Sequence, residues 1–163
     1  MPGTDLCVEY SVGASLKMNE GGIGGTTTTI RPTSIVGLDG RPIRATILPN
    51  GAADGGDKLT ARFGPRLIQV QGEIVAYSAG VPLTPIPSPS AYLTAVNTLV
   101  AAWISGLEAA LNSTFTLAWT PTGQGAQSLT VSYGFEGGEF QTAPSPDLSA
   151  PTSVSFGLVC ETG

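Results

Sequence analysis

Residues 66–77 read Arg-Leu-Ile-Gln-Val-Gln-Gly-Glu-Ile-Val-Ala-Tyr. Ile68, Val70, Gly72, Ile74 and Ala76 alternate with Gln69, Gln71, Glu73, Val75 and Tyr77. Successive side chains of a strand point to opposite faces, so this spacing predicts a strand with one buried and one wetter side. The same period of two recurs on both sides of it. Leu6, Val8, Tyr10 and Val12 form one set, and Phe115, Leu117 and Trp119 a second. Leu129, Val131 and Tyr133 form a third, and Val154, Phe156, Leu158 and Cys160 a fourth. Shorter β-prone runs lie at Thr26–Ile30, Thr33–Leu38 and Ile43–Leu48. About eight half-buried strands follow, which predicts a mainly β (α+β) fold: an antiparallel sandwich or barrel.

One stretch breaks the alternation. From Leu93 the apolar residues fall at Val96, Leu99, Val100, Trp103, Ile104, Leu107 and Leu111, the spacing of one helical face. An amphipathic helix over about 89–111 is expected to pack on the β-structure, with Leu93, Val96, Val100, Trp103 and Leu107 as its core stripe. Ser88 or Ser90 can cap its start, with Pro89 in the first turn, and Asn112 can stop it. Gly106 in its interior implies a close approach to a backbone, or a bend. Tyr92, Thr94, Asn97, Ser105 and Glu108 interrupt the apolar run, so no membrane span is expected.

Gly/Pro-rich loops are read at 19–25, 49–57, 81–90 and 143–151, all within a single domain over 1–163. The first residues, Met-Pro-Gly-Thr-Asp, show neither a basic nor an apolar leader pattern, so no signal peptide is expected. Cys7 and Cys160 are then read as two reduced thiols.

The chain has 163 residues, 12% of them charged, and a net charge of −5. It contains no histidine. That removes imidazole bases, Ser-His-Asp and Cys-His catalysis, and His-ligated metals. All seven cations (Lys17, Arg31, Arg41, Arg44, Lys58, Arg62, Arg66) lie in residues 1–66, against six acids. Residues 67–163 carry Glu73, Glu108, Glu136, Glu139, Asp147 and Glu161 and no cation at all. Such a split suits halves that face different surroundings, and it lacks the polybasic footprint of sequence-specific nucleic-acid binding.

Possible chemical sites reduce to few. Asp54 and Asp57 flank a Gly pair but lack the ligand spacing of a calcium loop. Gly21–Gly25 lacks the Lys-Ser/Thr of a phosphate cradle. Glu136 and Glu139 could act as a glycosidase pair, yet they sit at a Gly-Gly turn where solvated carboxylates are the simpler reading. Trp103 and Trp119 read as core. No enzyme activity, metal or cofactor is expected.

The order of elements carries a resemblance. A Gly-rich loop leads into Phe63-Gly64-Pro65-Arg66-Leu67-Ile68-Gln69-Val70-Gln71-Gly72-Glu73-Ile74, followed by a linker and the amphipathic helix. Phe115-Thr116-Leu117-Ala118-Trp119 and Leu129-Thr130-Val131 come next. Across about residues 35–160 this resembles the distal tail protein family of long-tailed bacteriophages, specifically its N-terminal ring-forming belt domain. Many members carry a further carbohydrate-binding-like domain, for which no counterpart is seen here. The resemblance implies a structural virion protein, assembled in the host cytoplasm, six copies of which close a ring at the distal end of the tail. Its implied partners are itself, the major tail tube protein, the tail hub or tip protein, and the tape measure protein. Other readings are a tube subunit or tail terminator and, in a different class, a free-standing carbohydrate-binding β-sandwich.

For a ring, the charge split nominates Arg66, Arg62 and Arg44 on one side and Glu136 and Glu139 on the other as interface residues. Arg66 is the foremost. It either holds a neighbour's carboxylate or carbonyl, or caps its own loop against Asp54 or Asp57.

Overall fold

The alternating stretch forms the longest strand of the molecule. The computed structural model describes residues 4–22, 24–40, 43–49, 56–83 and 89–160, and for 44–49 and 56–62 the backbone alone. Its elements are β1 (Tyr10–Val12), β2 (Leu16–Met18), β3 (Thr29–Val36), β4 (Ile43–Pro49), β5 (Gly56–Phe63), β6 (Arg66–Val75), β7 (Tyr77–Ser78) and β8 (Val81–Pro82). Helix α1 (Pro89–Ala109) follows, then β9 (Thr114–Trp119), β10 (Gln127–Ser132), β11 (Gln141–Ala143) and β12 (Ser153–Cys160).

The main sheet runs β10-β9-β1-β2-β3-β6-β12-β11, and a further β10–β12 pairing closes seven of its strands into a barrel with β11 as an outer flap. The β-dominant α+β expectation holds. The ladder is antiparallel except at one joint, where β2 meets β3 in parallel through the single pair Met18↔Ile30. The other closing joint is also one pair, Ser132↔Val159. The long ladders are β3–β6 and β6–β12, and β12 matches β6 residue for residue from Ser153↔Glu73 to Cys160↔Arg66.

Parity along β6 sorts the two faces. Arg66, Ile68, Val70, Gly72 and Ile74 are buried, while Leu67, Gln69 and Gln71 are exposed. Opposite the inner row stand Val154, Phe156 and Leu158 of β12 and Ile35 of β3, all buried. Gly72 is required by a close crossing: a Cβ there would sit 2.6 Å from the Arg31 carbonyl oxygen, beside the bulge between Pro32 and Ser34.

Helix α1 covers the barrel's open side with Tyr92, Val96, Trp103 and Leu107, which join the same core as the inner rows. Leu93 and Val100 are half-buried at its margins. The Trp103 indole stacks on Phe140 at 6.0 Å and tilts against Phe156 at 5.4 Å. Near the N-terminal end, the Tyr92 hydroxyl accepts the Thr152 amide at 2.8 Å. Near the C-terminal end, Gly106 makes room for Leu16, whose Cδ1 would lie 2.9 Å from a Cβ at that position. The close neighbour of Gly106 is therefore a side chain of β2, not a backbone. The helix ends at Ala109, slightly before the expected Leu111, and tightens through Ala110→Leu107 and Leu111→Glu108 amide bonds. Ser88, the candidate cap, lies outside the described residues.

Other boundaries also shift. The two runs expected at 26–30 and 33–38 are one strand, β3. Of the expected strand from Leu6, only β1 enters the ladder; residues 4–9 form a strap held by side chains. The Thr4 amide and hydroxyl both donate to Asp39 Oδ1 at 3.0 Å, and the Asn19 amide donates to the Leu6 and Val8 carbonyls. Asp5 staples the strap to the β9–β10 turn, accepting the Cys7 amide on Oδ1 and the Thr122 amide on Oδ2, each at 2.9 Å. The 49–57 loop is shorter than expected, because β4 runs to Pro49 and β5 starts at Gly56; residues 50–55 lie outside the described residues, as do 84–88 of the 81–90 segment.

Two expectations follow. Trp103→Ala removes the ring that joins helix to barrel and should cost about 3–5 kcal/mol, read by denaturant unfolding of the dissociated chain. The Thr122 and Cys7 amides hold the Asp5 carboxyl below its usual value of 3.8. A depressed carboxylate stabilises above the unfolded pKa, and its contribution is lost as pH falls through the folded one. Asp5→Asn at neutral pH, and acidification of the wild type through the depressed Asp5 pKa, should both lower the protection factors of the Thr122 and Cys7 amides, each taken against the unstructured rate at the same pH. Equal protection in mutant and wild type would remove the staple.

Candidate functional site

Two surfaces stand apart from the packed core. The first is the ribbon β4–β5, a separate two-stranded sheet inserted between β3 and β6. It leaves the barrel at Gly37, whose φ of +103° and contact with the Leu67 carbonyl admit no side chain. Its register pairs Ile43 with Phe63, Arg44 with Arg62, Ala45 with Ala61 and Thr46 with Thr60. A like-charge pair facing across a ladder is unfavourable, and a lone two-stranded ribbon has little stability of its own in water. Among the described residues neither strand pairs with the barrel.

The second surface is apolar. Val36, Ile43, Phe63 and Leu67 are each more than half exposed, and all four sit at the ribbon's root. Val36 and Leu67 lie in the outward register of β3 and β6, opposite in parity to the core rows. Elsewhere, α1 exposes Ala101, Ala102, Ile104 and Ser105, with Leu111 beyond its end and Glu108 the only charged residue of the helix.

The residues nominated from sequence fall in three places. Arg66 is inside the chain, only 6% exposed, its Nη1 donating to the Leu38 carbonyl at 3.3 Å and its Nε without an acceptor. It thus braces the root of the ribbon by holding the segment that follows β3. Arg44 and Arg62 are direct register partners, and their side chains lie outside the described residues. So do Asp54 and the side chain of Asp57. Glu136 and Glu139 are exposed on the turn between β10 and β11, where Glu139 accepts the Gly137 amide at 3.2 Å. No contact brings these acids to the three arginines within the chain among the described residues.

One further acid, Asp147, serves local structure. Asp147 accepts the Ser145 and Ser149 hydroxyls, at 2.9 and 2.7 Å, and the Ser149 amide, and these bonds lower its pKa to about 2. Cys7 is exposed and Cys160 buried, with no disulfide between them. No group of three His, Cys, Asp or Glu that could hold a metal forms among the described residues. A shallow groove of about 290 Å³ crosses the outer sheet between Thr33, Gln71, Gln141, Thr142 and Ser155. Its lining contains no aromatic ring, so a sugar finds no stacking platform there.

The sequence reading missed the apolar patch, although a signal was present. Leu67 and Val36 are apolar residues in the wetter phase of an alternating strand, and an out-of-phase Leu or Val is a candidate for burial by something outside the sheet.

No family model and no curated protein matches the chain. Among solved structures it is similar to the crystal structure of the SPP1 Dit (gp 19.1) protein, described as a paradigm of the hub adsorption apparatus in Gram-positive-infecting phages. The TM-score is 0.52 at 11% identity, over 82% of this chain and 44% of that one. The chain therefore spans less than half the length of the structure it matches, and the likeness is one of fold.

Proposed function

We propose that the chain is a structural, non-enzymatic subunit of a bacteriophage tail, six copies of which close a ring at the distal end and join the tail tube to the hub. The observation that carries this reading is the fold likeness to a phage hub component over 82% of the chain. It agrees with the belt-domain resemblance of residues 35–160, which rests on different features. The ribbon supports it further. A two-stranded arm with an Arg44–Arg62 register pair gains stability from an acidic partner, and residues 67–163 supply six acids and no cation. A subunit carrying a basic arm and an acidic body associates head to tail, which is the contact that closes rings. The tube protein, the hub protein and the tape measure protein are the proposed neighbours, and the lack of histidine suits a scaffold with no chemistry to perform.

The purified chain should form closed rings, seen as six-fold particles by negative-stain electron microscopy and as hexamer mass by native mass spectrometry. Arg44→Glu with Arg62→Glu should weaken association about tenfold or more, and raised salt should weaken the wild type in the same direction. Arg66→Ala should act first on the chain itself, lowering its melting temperature through the unpaired Leu38 carbonyl and the lost packing. Rings insensitive to both charge reversal and salt would sink the basic-arm contact.

A further inference from the structure

We propose that the outer face of α1 is an interface, and that its occupant is the apolar root of the ribbon on the next copy of this chain. The inference rests on the ring reading above and names surfaces that reading leaves open.

The argument begins with the helix. Only Tyr92, Val96, Trp103 and Leu107 of its 21 residues are buried, and Glu108 is its only charge. A helix at a water-facing surface ordinarily carries charged residues on its outer side. The outer side of this one carries uncharged Thr94, Asn97 and Thr98 in its first half and presents Ala101, Ala102, Ile104 and Ser105 before Glu108 in its second. By length and hydropathy it would pass for a membrane span, yet its most apolar stripe is already spent on the barrel core. A lipid surface is also a poor cover. The helix itself carries no Lys or Arg to attract anionic headgroups, and its one charge, Glu108, repels them. A protein surface is left.

That surface must be apolar and must tolerate an acidic neighbour. The root of the ribbon meets both conditions. Val36, Ile43, Phe63 and Leu67 are 61%, 68%, 63% and 51% exposed. Val36, Ile43 and Phe63 lie in the half of the chain that holds every cation, and Leu67 directly follows Arg66, the last of them. The two faces are distinct. Phe156 lies against Trp103 on the inner side of β12, whereas Leu67 and its register partner Val159 belong to the outward phase of β6 and β12. The helix therefore packs on the inner phase of these strands and the patch lies on their outer phase. A two-fold dimer through either side would set Glu108 against Glu108, or one copy's basic ribbon against the other's. A head-to-tail contact pairs unlike surfaces, and its repetition closes a ring when the rotation from copy to copy brings the last subunit back to the first.

The test uses one substitution on each face, both at exposed positions and both checked for an unchanged melting temperature. Ile104→Glu disables the helix side and Leu67→Glu disables the patch, and association is read by light scattering after size exclusion. Each variant alone should stay monomeric where the wild type forms rings. Mixed one to one, the two variants retain a single productive contact, so they should give a dimer and nothing larger. Rings from either variant would overturn the proposed surfaces while leaving the ring reading intact, and so would a mixture that stays monomeric. A wild-type chain that is monomeric at every concentration up to about millimolar overturns both. Pelleting of the wild type, but not of Ile104→Glu, with phosphatidylcholine–phosphatidylglycerol vesicles would assign the helix face to lipid and overturn the protein contact.

Discussion

Closure of the barrel is the constraint on which everything else depends. Two of its joints, β2–β3 and β10–β12, consist of one residue pair each. A joint of that size contributes about one or two hydrogen bonds, worth roughly 0.5–1.5 kcal/mol apiece, which cannot hold a seven-stranded cylinder shut. What holds it is the filling. The inner rows of β6 and β12 are too apolar to face water, and α1 covers them by driving Trp103 between Phe140 and Phe156. Phe140 lies just before β11, Phe156 within β12, and Leu16, which packs at Gly106, within β2. The helix therefore ties together strands that the ladder barely joins.

Much of this was legible in the residues. The alternation of 66–77 marks the central strand because burial on one face leaves a period of two in the sequence. The spacing of Val96, Trp103 and Leu107 marks the helix for the corresponding reason. Elements that bury little leave little trace. β2 has three residues and β11 three more, all of the latter exposed and followed by Pro144. β5, Gly-Asp-Lys-Leu-Thr-Ala-Arg-Phe, pairs only with β4 among the described residues, outside the barrel ladder that imposes the two-residue period. The parallel joint between β2 and β3 was invisible because register between short strands is set by what packs around them.

The interface residues divide along the same line. Arg66, nominated for an interface, has its charged side chain in the inner phase of β6, where the same parity that buries Ile68 and Val70 buries it. Its partner, the Leu38 carbonyl, lies on the chain leaving β3, so a buried guanidinium fixes where the ribbon departs. Glu136 and Glu139, read as solvated turn residues, stand exposed on their turn. The apolar patch escaped notice because hydrophobicity was counted only in the phase that makes a core.

A subunit built this way separates folding from association. The barrel and helix complete a buried core within one chain, so that core needs no partner to form. Among the described residues the ribbon's two strands pair only with each other, and its register places Arg44 against Arg62. On the ring reading, the free energy that orders the arm is supplied by the acidic body of the next copy, and part of the contact energy is consumed in that ordering. Each contact is then weaker than its area suggests. Weak single contacts let a misplaced subunit leave, whereas a closed ring engages both faces of every copy at once and is held far more firmly. The like-charge pair, unfavourable in the isolated chain, thereby favours the closed assembly over open fragments.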